Sequence, residues 1–558
     1  MFHKINKLAL AFRFISLTVL IIAGVAGILG SNEGSTPGTS RPNINYVAFL
    51  ADKDTPNTVE LYAYSLETRG VIKLNDTLVS GGNVTSFSIS PDGLQVAYVA
   101  DQDTDGRFEL YVAASNGSTV TKVSEPTVNL GSDVGDDPVW SPDGSRIAYR
   151  SNESDRGNEI FVLRTVQPDG SNNVIVNPTG NGAGKVIANR FAWAPNSSRI
   201  AYLSDQDITG VIELYTSPAD SPLDNQKVNN DLALNESVTQ YAWAPNGSKI
   251  AYRADQSADE IYELWTSTPT GGANTRISGS YTGFERDALD AFSWAPDSSR
   301  IAYIADENTD EIFELYTVQP DGSGRLKVSA NITTPGFNVF GIPAWAPDSS
   351  RIAYLADMNQ NDVYELFTSQ PAVATTSTRV NRTLRGGRVL TGPEIDSEPA
   401  WSPDSTTIAY IAQQDTAGIY EVYVGKPDGT GTVKVSGTLT TNNSVSLGPY
   451  TEVWAPDGSR LTYMADQSDV NTQDLYTTIP TSRANIARIT RTPVQANSLK
   501  SFGKWAPDSS HIVYVSAQDI ADVDELYMAS PDGSSNRNIS GALVSGGDVD
   551  SESFVWAP

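Results

Sequence analysis

The 558-residue chain contains no cysteine. That removes disulfides, thiolate metal sites and cysteine nucleophiles together. It also leaves no lipid-acceptor cysteine behind the apolar N-terminal stretch. Histidine is nearly as scarce, with only His3 and His511 present. His3 belongs to the N-terminal segment. His511 stands where Arg300 and Arg351 stand in sister repeats, which predicts an exposed strand residue. A serine hydrolase therefore has one histidine to draw on, and no G-x-S-x-G occurs. Positive charge is outnumbered: 38 Lys and Arg against 66 Asp and Glu give a net −28. Nucleic-acid binding by phosphate neutralisation is disfavoured. A basic protein, a cationic polymer or a divalent metal is what such a field attracts. No segment shows a sustained 3.6-residue apolar period with caps, so no helix is expected beyond the N-terminus.

What is present is a repeat. "WAPDSSRIAY" stands at 294–303 and again, letter for letter, at 345–354. Variants such as "WSPDGSRIAY" at 140 and "WAPDSSHIVY" at 505 run along the chain. Their prolines fall at 91, 142, 195, 245, 296, 347, 403, 456 and 507, mostly 50 to 53 residues apart, and "FVWAP" ends at Pro558. Nine of the ten tryptophans open this motif; Trp265 is the exception. Each unit reads as four short strands: a strand ending in Trp, a "PDSS" or "PDGS" turn, "RIAYIAD", an acidic loop, "EIFELYTV", a "PDG" turn and a short "RLKVS" strand. Four strands per unit at this period predict an all-β fold, a β-propeller of four-stranded antiparallel blades with about ten repeats of about 51 residues. The first unit, "INYVAFLAD", lacks a Trp strand before it, and the last element, "ESFVWAP", is a Trp strand with nothing after it. The C-terminal strand is expected to join the N-terminal blade and close the ring, leaving no sheet edge open.

Ahead of the repeats, Lys4, Lys7 and Arg13 precede an uncharged run from Phe14 to Gly30. This pattern reads as an export signal or an N-terminal membrane anchor over 1–30. Residues 31–43 read as a flexible linker, and 44–558 as the propeller. The propeller is expected outside the cytoplasmic membrane, as a periplasmic, secreted or anchored protein, touching membrane only through the N-terminal segment.

The loop after the second strand is acidic in most repeats, and so are several loops between repeats. Both sets are expected on one rim. Asp205, Asp255, Asp306, Asp310 and Asp357 are the candidate partner-binding residues there. The opposite face carries Arg146, Arg199, Lys249, Arg300, Arg351 and Arg460. One loop has a D-x-D-x-D-G pattern, Asp101, Asp103, Asp105 and Gly106, with Glu109 beyond. Alternating carboxylates before a Gly turn suit calcium, although Val112 stands where an EF-hand needs a Glu. No other cofactor is expected. The acid opening each third strand, from Glu60 to Glu525, is repeated ten times and reads as structural.

"W-[SA]-P-D-[GS]-S-[RK]-I-A-Y", the acidic loop, "E-[LI]-Y" and "P-D-G" together resemble the WD-repeat-like propeller repeats of TolB-type periplasmic proteins. The resemblance covers about 44–558 and implies the fold; it brings no catalytic residues. Two functions follow as expectations. The first is a non-enzymatic exported scaffold whose acidic rim binds a basic envelope or extracellular protein or polymer. The alternative is an extracytoplasmic hydrolase or lyase with carboxylates in the central channel.

Overall fold

A computed structural model describes residues 45–124, 133–135, 138–152, 161–177, 185–221, 224–279, 287–332, 336–391, 398–440, 445–469, 472–491 and 498–558. The expected export segment, the linker and Glu159 lie outside these residues. Among the described residues no helix is long and apolar enough to cross a membrane. Ten four-stranded antiparallel sheets follow one another along the chain. The blade holding the N-terminal strands is blade 1. Its inner strand is the C-terminal Val549–Trp556, which pairs antiparallel with Tyr46–Ala51 and sets Val47 opposite Trp556 and Phe49 opposite Phe554. The expected closure is therefore present.

Both faces of every blade are apolar because strands alternate and each blade has two neighbours. In "IAYIA" of blade 6, Ile301, Tyr303 and Ala305 pack toward blade 5, whereas Ala302 and Ile304 pack toward blade 7. The core is accordingly ten clusters, one per interface between blades. The last of these joins Val513, Val515 and Leu526 of blade 10 to Val47, Phe49 and Phe554 of blade 1. Each fully buried Ile or Tyr contributes roughly 1.5–3 kcal/mol of apolar transfer. The second-strand aromatic stacks on the third-strand aromatic beside it in most blades, with Tyr303 and Tyr316 centred 5.5 Å apart.

The Trp at the end of each first strand explains the period. Except at Trp505, its indole Nε1 donates to the inner strand of the preceding blade wherever a Trp is present, as in Trp193 to Val139 O at 3.0 Å, Trp294 to Ala242 O at 3.1 Å and Trp401 to Ala344 O at 3.1 Å. Trp556 closes the set by donating to Lys504 O at 3.0 Å. First strands of adjacent blades thus touch, which makes them the innermost strands around the axis. The turns after them are linked as well. Ser298, Ser349 and Ser509 sit at φ near 60°, where a side chain is disfavoured. In return the Ser Oγ accepts a backbone N–H from the same turn one blade earlier: Asn246 to Ser298 at 3.0 Å, Asp297 to Ser349 and Asp457 to Ser509 both at 3.1 Å.

Candidate functional site

The rim begins with the Asp that follows the second strand in most blades, usually as "AD". Its two carboxylate oxygens accept two backbone N–H groups from different loops. Asp306 takes Asp287 N–H at 2.7 Å, from the loop leading into the blade, and Glu311 N–H at 3.2 Å, from its own loop. Asp357 takes Asn338 and Asp362, Asp255 takes Ser237 and Glu260, and Asp205 takes Lys185 and Gly210. The two loop sets therefore share a rim, as expected. Asp52 uses the same device at the ring closure, binding Asp548 N–H and, at 2.9 Å, Asn57 N–H.

This geometry corrects the candidate rim residues. Asp255, Asp306 and Asp357 are buried and Asp205 is half-buried, because satisfying loop backbone draws the carboxylate inward. Desolvation raises the Asp255 and Asp306 carboxyls above the usual range, against the pull of those N–H groups. Of the five, only Asp310 is exposed. The accessible acids come later in the loops: Asp105, Asp259, Glu260, Asp310 and Glu311. An acid at the end of a strand and an acid at a loop tip look alike in sequence; the signal that separates them is the fixed five-residue spacing to the N–H that the first one accepts.

The candidate calcium loop divides in the same way. Asp101 is buried, with one oxygen on Asn83 N–H and the other on Gly106 N–H at 2.9 Å. Asp103 is exposed and lies 3.3 Å from Lys122 Nζ, Asp105 is exposed, and Glu109 is buried with Lys122 Nζ at 2.5 Å. Among the described residues no three acidic or histidine side chains gather at a point suited to a metal. Glu109 belongs instead to the repeated third-strand acids. Glu60, Glu213 and Glu314 likewise pair with a fourth-strand Lys at 2.9, 3.1 and 2.8 Å, and Tyr62 and Tyr215 donate to their Glu. A structural role for these acids is what the geometry shows.

The basic residues of the opposite face are also tied down. Arg199 is buried on Thr216 and on Asp224 O at 2.9 Å, and Arg300 reaches Gly324 O at 2.9 Å. Lys249 reaches Pro320 O at 3.1 Å. His511 is half-buried next to its turn rather than exposed on a strand, with Nδ1 2.8 Å from Ser510 Oγ, and burial lowers its pKa.

Charges outside the repeat collect on the inner strands of blades 8 to 10, and sequence reasoning did not single them out. Glu398 precedes the strand Ala400–Trp401, and burial pushes its carboxyl up to about 7. Glu452 lies in a one-turn helix, Tyr450–Val453, that interrupts the inner strand of blade 9. Burial raises its carboxyl too, against the Lys504 ammonium 4.0 Å away. Lys504 Nζ also donates to Phe554 O at 3.0 Å and sits over the Phe554 ring. The usable signal was the loss of the repeat pattern just before the Trp of these blades.

Residues 285–551 match the TolB beta propeller domain family. Solved structures with a similar fold include an oligogalacturonate lyase in complex with manganese, 17% identical, covering 58% of this chain and 86% of that one at a TM-score of 0.33. Porphyromonas gingivalis dipeptidyl peptidase 4 is 11% identical, covering 74% of this chain and 62% of its own, with a TM-score of 0.45. A TolB candidate from Agrobacterium tumefaciens is 15% identical, covering 51% and 87%, with a TM-score of 0.26. The chain is a ten-bladed β-propeller, and residues 285–551 of it match the TolB beta propeller domain.

Proposed function

We propose that the protein is an exported binding scaffold whose acidic rim engages a basic protein or polymer of the envelope or the extracellular space. The observation that carries this reading is the set of loop-tip carboxylates, Asp105, Asp259, Glu260, Asp310 and Glu311. They are exposed, and none forms an ion pair among the described residues. The stapled acids hold these loops in place, so the charge is presented on a fixed frame. A basic partner recovered from envelope extract should associate faster in 0.01 M than in 0.15 M salt, as the Debye length falls from about 30 Å to about 8 Å. Asp259→Lys with Asp310→Lys should slow association and leave dissociation nearly unchanged. An association rate indifferent to both salt and this reversal would reduce the −28 charge to a solubility feature.

A second reading, a hydrolase or lyase acting at the axis, is supported by Glu398. A carboxyl near pKa 7 is suited to donate a proton at neutral pH. Its test is turnover of glycoside or peptide substrates that Glu398→Gln abolishes without changing the melting curve at pH 4.

A further inference from the structure

The chain is strongly acidic, yet Arg379, Arg382, Arg385 and Arg388 fall within ten residues that include no acid. They lead from the fourth strand of blade 7, Thr378–Arg379, into the loop before blade 8. Arg379, Arg382 and Arg385 line an open groove of about 820 Å³ between blades 7 and 8, together with Thr383, Gln414 and Asp415. We infer that this groove is a binding site for a small multivalent oxyanion, a ligand presenting adjacent carboxylate or phosphate groups.

The argument rests on a comparison within the ring. Arg491, between blades 9 and 10, occupies the position of Arg382, and each donates its backbone N–H to a Gln in the next blade, Gln518 or Gln414. Arg491 is closed down on Asp519, with Nη2 2.7 Å from both carboxylate oxygens. Arg382 is not: its nearest carboxylate oxygen, on Asp415, lies 3.9 Å away, and Lys434 shares that Asp at 3.9 Å. The two glutamines differ in the same sense. Gln518 Nε2 is spent on Tyr514 Oη at 3.2 Å and Asn536 at 3.3 Å. Gln414 is 5% exposed, and its Nε2 has no acceptor among the described residues. Its amide cannot be flipped to cure this, because Oε1 accepts the Arg382 backbone N–H, which can only donate. In blade 8 the residue matching Asn536 is Thr432, whose hydroxyl donates to Val380 O at 3.3 Å.

Two further changes shift the charge around this groove toward positive. The stapling Asp becomes Gln413, whose Oε1 still accepts Gly418 N–H at 2.7 Å. The Asn or Asp that caps the next strand, such as Asn338 accepting Phe313 N–H, becomes Arg388, which stacks on Tyr364 instead. Arg385 is exposed, and its side chain makes no ion pair among the described residues. The result is two guanidinium forks and an orphaned amide donor on one groove, with donors in excess of acceptors. Guanidinium forks match planar carboxylates and phosphates bidentately, and a buried donor left unmade favours a ligand that supplies an acceptor.

The test is calorimetric titration of the full chain with citrate and with tripolyphosphate at fixed ionic strength. One-to-one binding of at least one probe is expected, at least about tenfold weaker in Arg382→Ala with Arg385→Ala, which is about 1.4 kcal/mol. Arg491→Ala should bind as the parent does. The stronger probe tells whether carboxylate or phosphate spacing is preferred. Should the double variant not fold, Arg385→Ala alone decides, since that side chain is exposed and makes no ion pair among the described residues. Absence of heat with both probes at millimolar concentration overturns the inference, and so does affinity unchanged by removing these arginines.

Discussion

Blades 4 to 7 and blades 8 to 10 are built from the same repeat, yet they differ at the axis. The inner strands of blades 4 to 7 run for 8, 6, 7 and 7 residues. Those of blades 8, 9 and 10 are cut to two residues each. The second and third strands show no such difference, because they are buried between neighbours on both faces and lie under the full weight of the interface clusters. An inner strand is held from one edge only and can be shortened at less cost. In blades 8 to 10 Glu398, Glu452 and Lys504 stand at the shortened strands, whereas the equally short inner strand of blade 3 is Val139–Trp140. The ring keeps its form through the strands behind the axis and varies its chemistry at the axis itself.

The largest effect should come from removing an inner strand altogether. Deleting Val549–Pro558 strips blade 1 of Phe554 and Val549 and removes the Trp556 bond to blade 10. A loss well above about 4 kcal/mol is expected, with a broad early melt, since the burial of several large side chains and an interface is lost at once. A truncated chain that melts within a few degrees of the parent would show that inner strands are dispensable even where they close the ring.

The next effect separates a shortened inner strand from a long one by pH. Glu398 is pushed from the ordinary 4.5 up to about 7 by burial. Between those values the unfolded chain has released a proton that the folded chain keeps. Stability contributed at this residue therefore falls as pH rises through that window. It is complete below the unfolded value and gone above the folded one. Glu398→Gln should stabilise the protein at pH 8 by about 3 kcal/mol and leave it unchanged at pH 4. Melting curves that show the same difference at both pH values would remove the buried-carboxyl reading.

Within the regular half, two acids four residues apart should behave oppositely. Asp306→Ala orphans the N–H groups of Asp287 and Glu311 and should cost about 2 kcal/mol. Asp310→Ala removes an exposed carboxylate and should stay within about 0.5 kcal/mol. Denaturant titrations of the two variants check this, and equal midpoints would contradict the assignment of staple and tip.

That pair also marks how far the sequence can be read. The ten blades, their four strands and the closure were legible, because period, Trp spacing and turn residues all follow from backbone geometry and repeat ten times. Glu60 and its sisters were legible as structural for the same reason. The rim was legible only as a charge. Whether Asp306 or Asp310 faces water depends on an N–H contributed by a loop about twenty residues away, Asp287, and no local pattern encodes that distance. The Arg groove escaped notice because its meaning is a departure from sister loops: Gln413 for Asp, Arg388 for Asn. A reading tuned to what repeats passes over the residues that stop repeating.

The smallest effect tests the inner strands at a single hydrogen bond. Trp401 and Trp505 are both 9% exposed and open the same motif. Trp401 Nε1 donates to Ala344 O, at the end of a long inner strand in blade 7. Trp505 should donate to Val453 O in blade 9, but Val453 lies in the one-turn helix and its carbonyl accepts the Thr462 hydroxyl at 3.2 Å. Trp505 Nε1 is left buried without a partner among the described residues. Replacing either Trp by Phe removes the same indole ring atoms from a similar apolar setting, so the packing losses should nearly cancel in the comparison. What remains is one hydrogen bond lost in Trp401→Phe and one unsatisfied donor relieved in Trp505→Phe. Both push the same way. Trp401→Phe should therefore be the less stable of the two by about 1 kcal/mol. Equal stabilities would mean that Trp505 Nε1 has found an acceptor such as a bound water, and that the interrupted strand of blade 9 costs the ring nothing at this contact.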